Sequence, residues 1–229
     1  MNMPGVRVFI FDMDGALVDN MGVHFQSWRQ FFAELGMIIA DQELRRHING
    51  KPNAVILREL LGDALPNAEP TRLERRKEEI YRAMYRAQVR PVDGLLAFLL
   101  DAQRLGAPMA LATNAHRDNV EFIMEHLGVA RFFRVIVSAE DVHQAKPDPE
   151  VYLIAAQRLG VSPGQCLVFE DSRPGIEAAH RAGMRVIGLA TTHTPAELQG
   201  LPVSQVVTDY TQLHPEALLD GLATMGRVQ

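Results

Sequence analysis

Polar residues that could do chemistry follow several short apolar runs of this chain. The run VFIF is followed at once by Asp12 and Asp14, and a third acid, Asp19, comes shortly after them. The other groups are Thr113 and Asn114 after MALA, Lys146 within AKPDPE, and Glu170 and Asp171 at the end of CLVFED. If these runs are neighbouring strands, their ends bring together one lysine, a hydroxyl–amide pair and four of the acids, namely Asp12, Asp14, Glu170 and Asp171.

Four crowded carboxylates repel one another, which costs stability unless a cation lies among them. A hard divalent cation takes oxygen ligands, and Mg²⁺ suits a site with few protein carboxylates and several other oxygens. Lys146, Thr113 and Asn114 would then bind an anion beside the metal. Phosphate fits this combination best, since a metal, a lysine and polar donors are the usual surroundings of phosphoryl transfer.

Each of these groups has a simpler explanation when it is taken alone. Two aspartates at a strand end are often a turn or a helix cap, and a Thr–Asn pair commonly caps the following helix. Lys146, which precedes a proline, could be a surface residue, and Ser172 in EDSRPG could merely begin a helix. The combination of all four groups, in order, favours a functional site.

The elements that must position these residues alternate along the chain between short apolar runs and helical patterns. The predicted strands are VRVFIF, PMALAT, RVIVSA, CLVFE, RVIGLA and a weaker QVVTD. They are apolar throughout, as strands covered on both faces are. This pattern predicts an α/β fold with a doubly wound, Rossmann-like parallel sheet and right-handed crossovers. Ligands of such sheets bind at the carboxyl ends of the strands.

One region, from about Met21 to Arg90, has helical patterns and no convincing strand. Four helices are predicted there, HFQSWRQFFAELG, DQELRRHING, NAVILRELLG and TRLERRKEEIYRAMYRAQ, punctuated by Gly36, Gly50 and Gly62. About 70 residues is far more than a strand crossover needs. We therefore expect an inserted helical cap, with a core domain of residues 1–18 and 91–229 and a cap domain of residues 19–90.

Composition and charge exclude several classes of protein. The 229 residues are 47% hydrophobic and 22% charged with a net charge of −5, which gives no basic field for nucleic acid. No apolar run approaches a membrane span, and the N-terminal run ends in acids, unlike a signal peptide. A single cysteine, Cys166, excludes an internal disulfide. We expect a cytoplasmic protein that binds neither nucleic acid nor membrane, as a monomer or a homodimer.

The motifs together resemble the haloacid dehalogenase superfamily, in the helical-cap branch that includes β-phosphoglucomutase and phosphoglycolate phosphatase. DMDGALVDN resembles the opening DxDGxLxDS signature, with Asn20 in place of the usual Ser or Thr. ATNA resembles the second motif, AKPDPEVY the third and FEDSRPGIEAAHRAGM the fourth. The resemblance covers nearly the whole chain, although the cap matches in helical character and position more than in sequence.

The resemblance implies roles for the core residues. Asp12 would be the nucleophile that forms an aspartyl-phosphate, expected to be ionised because an ordinary aspartate has a pKa of about 3.9. Asp14 would be the general acid and then the general base, and must be protonated at the first step. Thr113 and Lys146 would bind the transferring phosphoryl group, with Asn114 beside them. The Mg²⁺ ligands would be Asp12, the backbone carbonyl of Asp14 and Asp171, with Glu170 either a ligand or a partner of one.

The cap is expected to exclude water and to set the substrate. Its candidate substrate-binding residues are His24, Lys51, Asn53 and Lys77. Hinges are expected near residues 18–21 and 90–94, where the chain enters and leaves the cap. The substrate class is a small phosphorylated metabolite, either a sugar phosphate or a short phospho-acid.

The cap residues leave the activity open between a phosphatase and a β-phosphoglucomutase-like mutase. His24 and Lys77 lie where a mutase carries a histidine and a lysine, although each could also be an ordinary residue of an amphipathic helix. Against a mutase, the cap loop INGKPN offers Lys51 and no arginine for a second phosphate. A phosphatase is therefore favoured. A dehalogenase fits less well, because that chemistry does not need Glu170 and Asp171, and a non-catalytic binder is the remaining alternative.

Overall fold

Six strands form one parallel sheet in the computed structural model, which describes residues 5–48, 51–62 and 70–219. The strands are β1 (Val8–Phe11), β2 (Met109–Ala112), β3 (Val135–Val137), β4 (Cys166–Glu170), β5 (Arg185–Leu189) and β6 (Gln205–Val207). Their order is β3-β2-β1-β4-β5-β6, and all five pairings are parallel. The predicted α/β fold with a parallel sheet is confirmed. Strands β2 and β3 lie on one side of β1, and β4, β5 and β6 lie on the other. Ligands of such sheets bind at the point where the strand order changes side.

Both faces of the sheet are covered, which explains why its strands are apolar throughout. Along β1, Phe9 and Phe11 belong to one hydrophobic cluster, whereas Val8 and Ile10 belong to a second cluster on the other face. This is the two-residue alternation of a strand, here with apolar partners on both sides.

The helices of the sheet divide between these two faces. They are α5 (Leu95–Arg104), α6 (Arg117–Leu127), α7 (Glu150–Leu159), α8 (Arg173–Arg181), α9 (Pro195–Gln199) and α10 (Pro215–Leu219). Residues of α5, α6 and α10 join the cluster of Phe9, and those of α7, α8 and α9 join the cluster of Val8. No helix in the described part of the chain combines the length and the hydrophobicity that crossing a bilayer requires.

Four helices lie between β1 and α5, as predicted for the region from Met21 to Arg90, and the described residues of that region contain no strand. They are α1 (Met21–Glu34), α2 (Asp41–Ile48), α3 (Asn53–Leu61) and α4 (Pro70–Tyr85). They enclose a third hydrophobic cluster of their own, in which Trp28, Phe31 and Phe32 pack with ring centroids 5.3–5.5 Å apart. We call this part the cap and the rest the core. The exact domain boundaries stay a prediction.

The two connections between cap and core run side by side. Val18 and Pro91 form an antiparallel bridge, and the amide of Val92 donates to the carbonyl of Leu17 at 2.9 Å. This pairing places both segments predicted as hinges next to each other.

Some element boundaries differ from the predicted ones. Helix α1 begins at Met21 rather than His24, because the carbonyl of Asn20 accepts from the amides of Val23 and His24. The predicted strands are mostly one or two residues too long. Helices α9 and α10 were not predicted, although Thr194 begins α9 with a capping box that is visible in the sequence. The predicted helix end at Gly50 lies outside the described residues.

Candidate active site

The register of the sheet brings the polar strand ends together. Strand β1 pairs with β2 on one side and with β4 on the other, with Phe11 opposite both Leu111 and Phe169. The residues that follow therefore emerge side by side, and the amide of Asp12 donates to the carbonyl of Phe169 at 3.0 Å. The strand ends were expected to bring their polar residues together. This is observed for Asp12, Thr113, Glu170 and Asp171.

Lys146 is the centre of a buried hydrogen-bond network. Its ammonium group donates to Asp12 Oδ1 at 2.6 Å, to Glu170 Oε1 at 2.9 Å and to the carbonyl of Ala112 at 3.0 Å. These bonds use all three ammonium protons. The ammonium also lies 4.7 Å from the ring centroid of Tyr152. The alternative reading of Lys146 as a surface residue is therefore wrong.

Three buried acids form a cluster that could hold a metal ion. One oxygen each from Asp12, Glu170 and Asp171 lies within 4.8 Å of the others. Asp171 Oδ1 is buried and has no hydrogen-bond partner, which is costly for a carboxylate. Burial and the neighbouring Glu170 and Asp12 raise the pKa of Asp171 well above its ordinary value. A divalent cation would satisfy the orphan oxygen and offset this repulsion, so the donor set fits Mg²⁺.

Glu170 differs from the other two acids because both of its oxygens are already occupied. Oε1 accepts from Lys146 and, at 3.1 Å, from the hydroxyl of Tyr152. Oε2 accepts from the amide and the hydroxyl of Ser172 at 2.8 and 3.0 Å. The carboxylate thus has its full set of acceptor sites in use. This geometry suits a residue that positions Lys146 better than a direct metal ligand.

The buried surroundings of Asp12 shift its pKa from the ordinary value of an aspartate. Burial raises the pKa of Asp12 to about 7, with repulsion from Glu170 and Asp14 adding to it and the attraction of Lys146 opposing it. Without a further cation, a nucleophile at this position is therefore only partly ionised at neutral pH.

A glycine makes the close approach to Asp171 possible. Gly15 has a φ of +80°, and a Cβ atom there would lie 2.0 Å from Asp171 Oδ2. Both the backbone conformation and the lack of space require glycine. The chain can therefore turn between Asp14 and the cap while Asp171 reaches the cluster.

Asp14 lies at the junction of cap and core. Asn20 Nδ2 lies 2.6 Å from both Asp14 Oδ1 and the hydroxyl of Tyr81, and His24 Nε2 is 3.7 Å from Asp14 Oδ1. Burial alone would raise the pKa of Asp14, but the neighbouring His24 and the Asn20 amide lower it below its ordinary value. In this state, without substrate, the ionised form of Asp14 is favoured, and its expected protonation at the first step of the reaction stays a prediction.

Cap residues complete the surroundings of Asp14. His24 stacks on the ring of Tyr81 with centroids 3.9 Å apart, and its Nδ1 lies 2.8 Å from Lys77 Nζ. Lys77 is 1% exposed and also donates to Glu78 at 2.8 Å. Its alternative reading as a surface lysine is wrong.

Glu78 connects the cap to the core. It accepts from Asn53 in the cap and from Asn119 of α6, both at 2.6 Å. Burial raises the pKa of Glu78, but the charges of Lys77 and His24 and the hydrogen bonds lower it to about 2. Asn53 is thus engaged with a neighbouring carboxylate.

The remaining candidates also have protein partners. Lys51 donates to both oxygens of Glu59 at 2.7 and 2.9 Å. Thr113 Oγ1 accepts from the amide of Ala115 at 3.1 Å, and Asn114 Oδ1 accepts from the amide of Lys146 at 3.1 Å. The latter two contacts hold the loop after β2 in place.

One cavity of about 320 Å³ between cap and core brings all the predicted site residues together. Its lining includes the core candidates Asp12, Asp14, Thr113, Asn114, Lys146, Glu170 and Asp171, and the cap candidates His24, Lys51, Asn53 and Lys77. The volume is in the range of small-molecule sites. The cavity therefore brings two aspartates, a buried lysine and a cluster of acids that could hold a cation into one space.

Sequence reasoning did not identify several residues that shape this cavity, namely Asn20, Glu74, Glu78, His116, Asn119 and Tyr152. Asn20 is the last residue of the first motif, so its position was a usable signal. Glu74 and Glu78 are four residues apart on α4 and contact His116 and Asn119 of the core. That spacing marks one helix face. Nothing in the sequence indicated which residues this face would meet.

Comparisons with known proteins show which family this chain resembles. The sequence profile described as haloacid dehalogenase-like hydrolase matches residues 9–189. The chain is 34% identical over 178 residues to the fructose-1-phosphate phosphatase YqaB of Escherichia coli, covering 78% of this chain and 93% of that protein. It is 35% identical over 190 residues to a chloroplastic 5-amino-6-(5-phospho-D-ribitylamino)uracil phosphatase of Arabidopsis thaliana, covering 82% of this chain but only 51% of that protein.

A mutase and a solved structure are also similar. A β-phosphoglucomutase of Bacillus subtilis is 30% identical over 192 residues, covering 80% of this chain and 83% of that protein. A crystal structure of a family IA hydrolase from Entamoeba histolytica shares the fold, with a TM-score of 0.86 at 24% identity over 94% of this chain and 98% of that one. From the profile match and these relatives, the chain belongs to the haloacid dehalogenase-like hydrolases.

Proposed function

We propose that this protein is a Mg²⁺-dependent phosphatase that hydrolyses a small phosphorylated metabolite through an aspartyl-phosphate on Asp12. The observation that carries the proposal is the assembly of Asp12, Lys146 and Asp171 around one point of a cavity that Asp14 also lines. Relatives whose names are sugar-phosphate and metabolite phosphatases support the same class.

Asp12 would attack the phosphorus atom. A bond forms between a carboxylate oxygen of Asp12 and phosphorus, while the bond from phosphorus to the ester oxygen of the substrate breaks. Lys146, 2.6 Å from Asp12, would exchange one of its three hydrogen bonds for a bond to a phosphoryl oxygen and so reduce the repulsion between nucleophile and substrate. Thr113 and Asn114 would lie beside the same phosphoryl group.

Asp14 would move the proton. It would protonate the leaving ester oxygen and then accept a proton from the water that hydrolyses the aspartyl-phosphate. Because Asp14 is ionised in the state described, it must gain a proton when substrate binds. The negative charge of a bound phosphate raises the pKa of a nearby carboxyl group, which favours that step. His24, 3.7 Å away, could orient the carboxyl group.

The residues that would hold Mg²⁺ are Asp12, Asp171 and the backbone carbonyl of Asp14, with Glu170 positioning Lys146. When bound, Mg²⁺ would offset the negative charge of the phosphoryl group and of the acids around it. The unpartnered oxygen of Asp171 is the feature of this chain that best supports a cation there.

A mutase is the second candidate, because the contact of Lys77 with His24 beside Asp14 matches what the mutase resemblance implies. A mutase must also hold a second phosphate. None of the described residues that line the cavity is an arginine. Lys51, the cap loop cation, is engaged with Glu59. These points favour the phosphatase.

The test is hydrolysis of p-nitrophenyl phosphate and of a panel of phosphorylated sugars and short acids with Mg²⁺, scored by kcat/KM. Phosphate release from several sugar phosphates supports the phosphatase. Formation of glucose 6-phosphate from β-glucose 1-phosphate and its bisphosphate would instead establish the mutase. Ordered metal binding without any turnover would leave a non-catalytic binder.

A further inference from the structure

The cations on the cap side of the cavity already have carboxylate partners. Lys51 contacts Glu59 at 2.7 Å, and Lys77 contacts Glu78 at 2.8 Å. Both lysines line the cavity. A cation with a short contact to a carboxylate attracts a further anion weakly, because the carboxylate cancels most of its field.

His116 is compensated from two sides. It lies in the core loop after β2 and lines the cavity, with Nε2 3.3 Å from Glu74 of α4 and Nδ1 3.0 Å from Glu140. Hydrogen bonding to Glu74 and Glu140 raises the pKa of His116 to about 9. His116 is therefore charged at neutral pH, yet it has two carboxylate partners.

Charges of opposite sign lie next to each other on this side of the cavity. Lys51, Lys77 and His116 contact the carboxylates of Glu59, Glu74, Glu78 and Glu140, and two further histidines, His24 and His47, contact Lys77 and Glu59. The exposed His143, which also lines the cavity, is paired with Glu150 at 2.8 Å. A substrate group on this side thus meets a surface with no net attraction for an anion.

We propose that Glu59 and Glu74 are specificity-determining residues that select substrates whose only anionic group is the transferred phosphate. The proposal rests on the proposed phosphatase function and narrows it to monophosphates with a neutral or cationic remainder. A second phosphate or a carboxylate at the far end of the substrate would have to displace Glu59 from Lys51 or Glu74 from His116. The displaced carboxylate would then lie beside a new anion, which is unfavourable in a partly dehydrated cavity.

The test compares ligands that differ only in charge at the end remote from phosphate. Sorbitol 6-phosphate and 6-phosphogluconate form one pair, and glycerol 3-phosphate and 3-phosphoglycerate form a shorter one. In each pair a neutral CH₂OH group replaces a carboxylate. Inhibition constants against p-nitrophenyl phosphate hydrolysis with Mg²⁺ give the affinities, whether or not the ligands are turned over.

We expect the neutral member of at least one pair to bind about tenfold or more tightly than the anionic member, a difference of about 1.4 kcal/mol. Glu59→Gln or Glu74→Gln should move that ratio toward unity by strengthening binding of the anionic member. Glu121→Gln, an exposed residue of α6 outside the cavity, is the matched control and should leave the ratio unchanged.

The outcomes separate this inference from the proposed function. Three results would overturn the charge selection. They are equal inhibition constants within both pairs, no inhibition by either member of a pair, and tighter binding of the anionic members. The charge selection is also excluded if neither variant moves the ratio more than Glu121→Gln does. Absence of p-nitrophenyl phosphate hydrolysis in the wild-type protein would instead count against the phosphatase itself.

Discussion

The core side and the cap side of the cavity balance their charges in opposite ways. On the core side, three buried acids share one lysine, and Asp171 keeps an oxygen with no partner. On the cap side, Lys51 and Lys77 each contact a carboxylate of their own. A cation from outside would therefore complete the core side, whereas the lysines of the cap side already have carboxylate partners. Chemistry on a phosphate suits the first, and recognition of an uncharged remainder suits the second.

The largest effect on the core side is expected from Asp12→Asn. An amide cannot act as the nucleophile, so turnover should fall by at least about a thousandfold, as for other single catalytic residues. The change is nearly isosteric, and Lys146 keeps its bonds to Glu170 and Ala112, so the fold should persist. Rates with p-nitrophenyl phosphate and the thermal midpoint are the measurements. Near-normal rates would exclude the covalent mechanism.

Asp14→Asn should lower turnover by about a hundredfold with a sugar phosphate and much less with p-nitrophenyl phosphate. A sugar alkoxide needs protonation as it leaves, whereas p-nitrophenolate does not. The ratio of kcat/KM for the two substrates, in wild type and variant, is the measurement. Equal losses with both substrates would show that Asp14 is not the general acid.

The fold and the core side were largely predictable from the sequence, because they depend on local signals. Continuous apolar runs marked the strands, and parallel pairing then determined which ends meet. Asp12, Thr113 and Glu170 each follow or end such a run. The resemblance of the motifs added their roles. It did not reveal that burial would raise the pKa of Asp12 to about 7, because that depends on how many acids share one buried space.

The cap side was much less predictable. Lys51, Asn53 and Lys77 were recognised as candidates, but their partners Glu59 and Glu78 were not. These pairs depend on how α3 and α4 pack, and the contacts of α4 with α6 join residues about 40 positions apart. Helical periodicity identifies a face of α4 without identifying what it will meet.

Metal binding offers a prediction about stability that separates the two sides. If Asp12 and Asp171 hold Mg²⁺, an ion concentration of 100 times Kd should stabilise the fold by about 2.7 kcal/mol. That corresponds to a rise of about 5–10 °C in Tm for a chain of this size. Asp171→Asn should abolish most of the rise, whereas the exposed Asp118→Asn on α6 should not. Differential scanning fluorimetry with and without EDTA measures it. If Mg²⁺ raised the Tm of Asp171→Asn as much as that of the wild-type protein, the metal would bind at another site.

The smallest expected effect concerns the pair of Glu74 and His116, which joins cap to core. The pKa of His116 is raised from 6.5 to about 9, so its stabilising contribution is fully present below pH 6.5 and is lost as pH rises through 9. The side chain is 43% exposed, so solvent screening limits the contribution to about 1 kcal/mol or less. The difference in Tm between wild type and His116→Gln should then be a few degrees at pH 6 and vanish near pH 10. Groups that titrate elsewhere act on both proteins alike and cancel in this difference. A difference in Tm that grows with pH would mean that His116 is neutral in the folded protein, so that Glu74 and Glu140 would have no cation at this position.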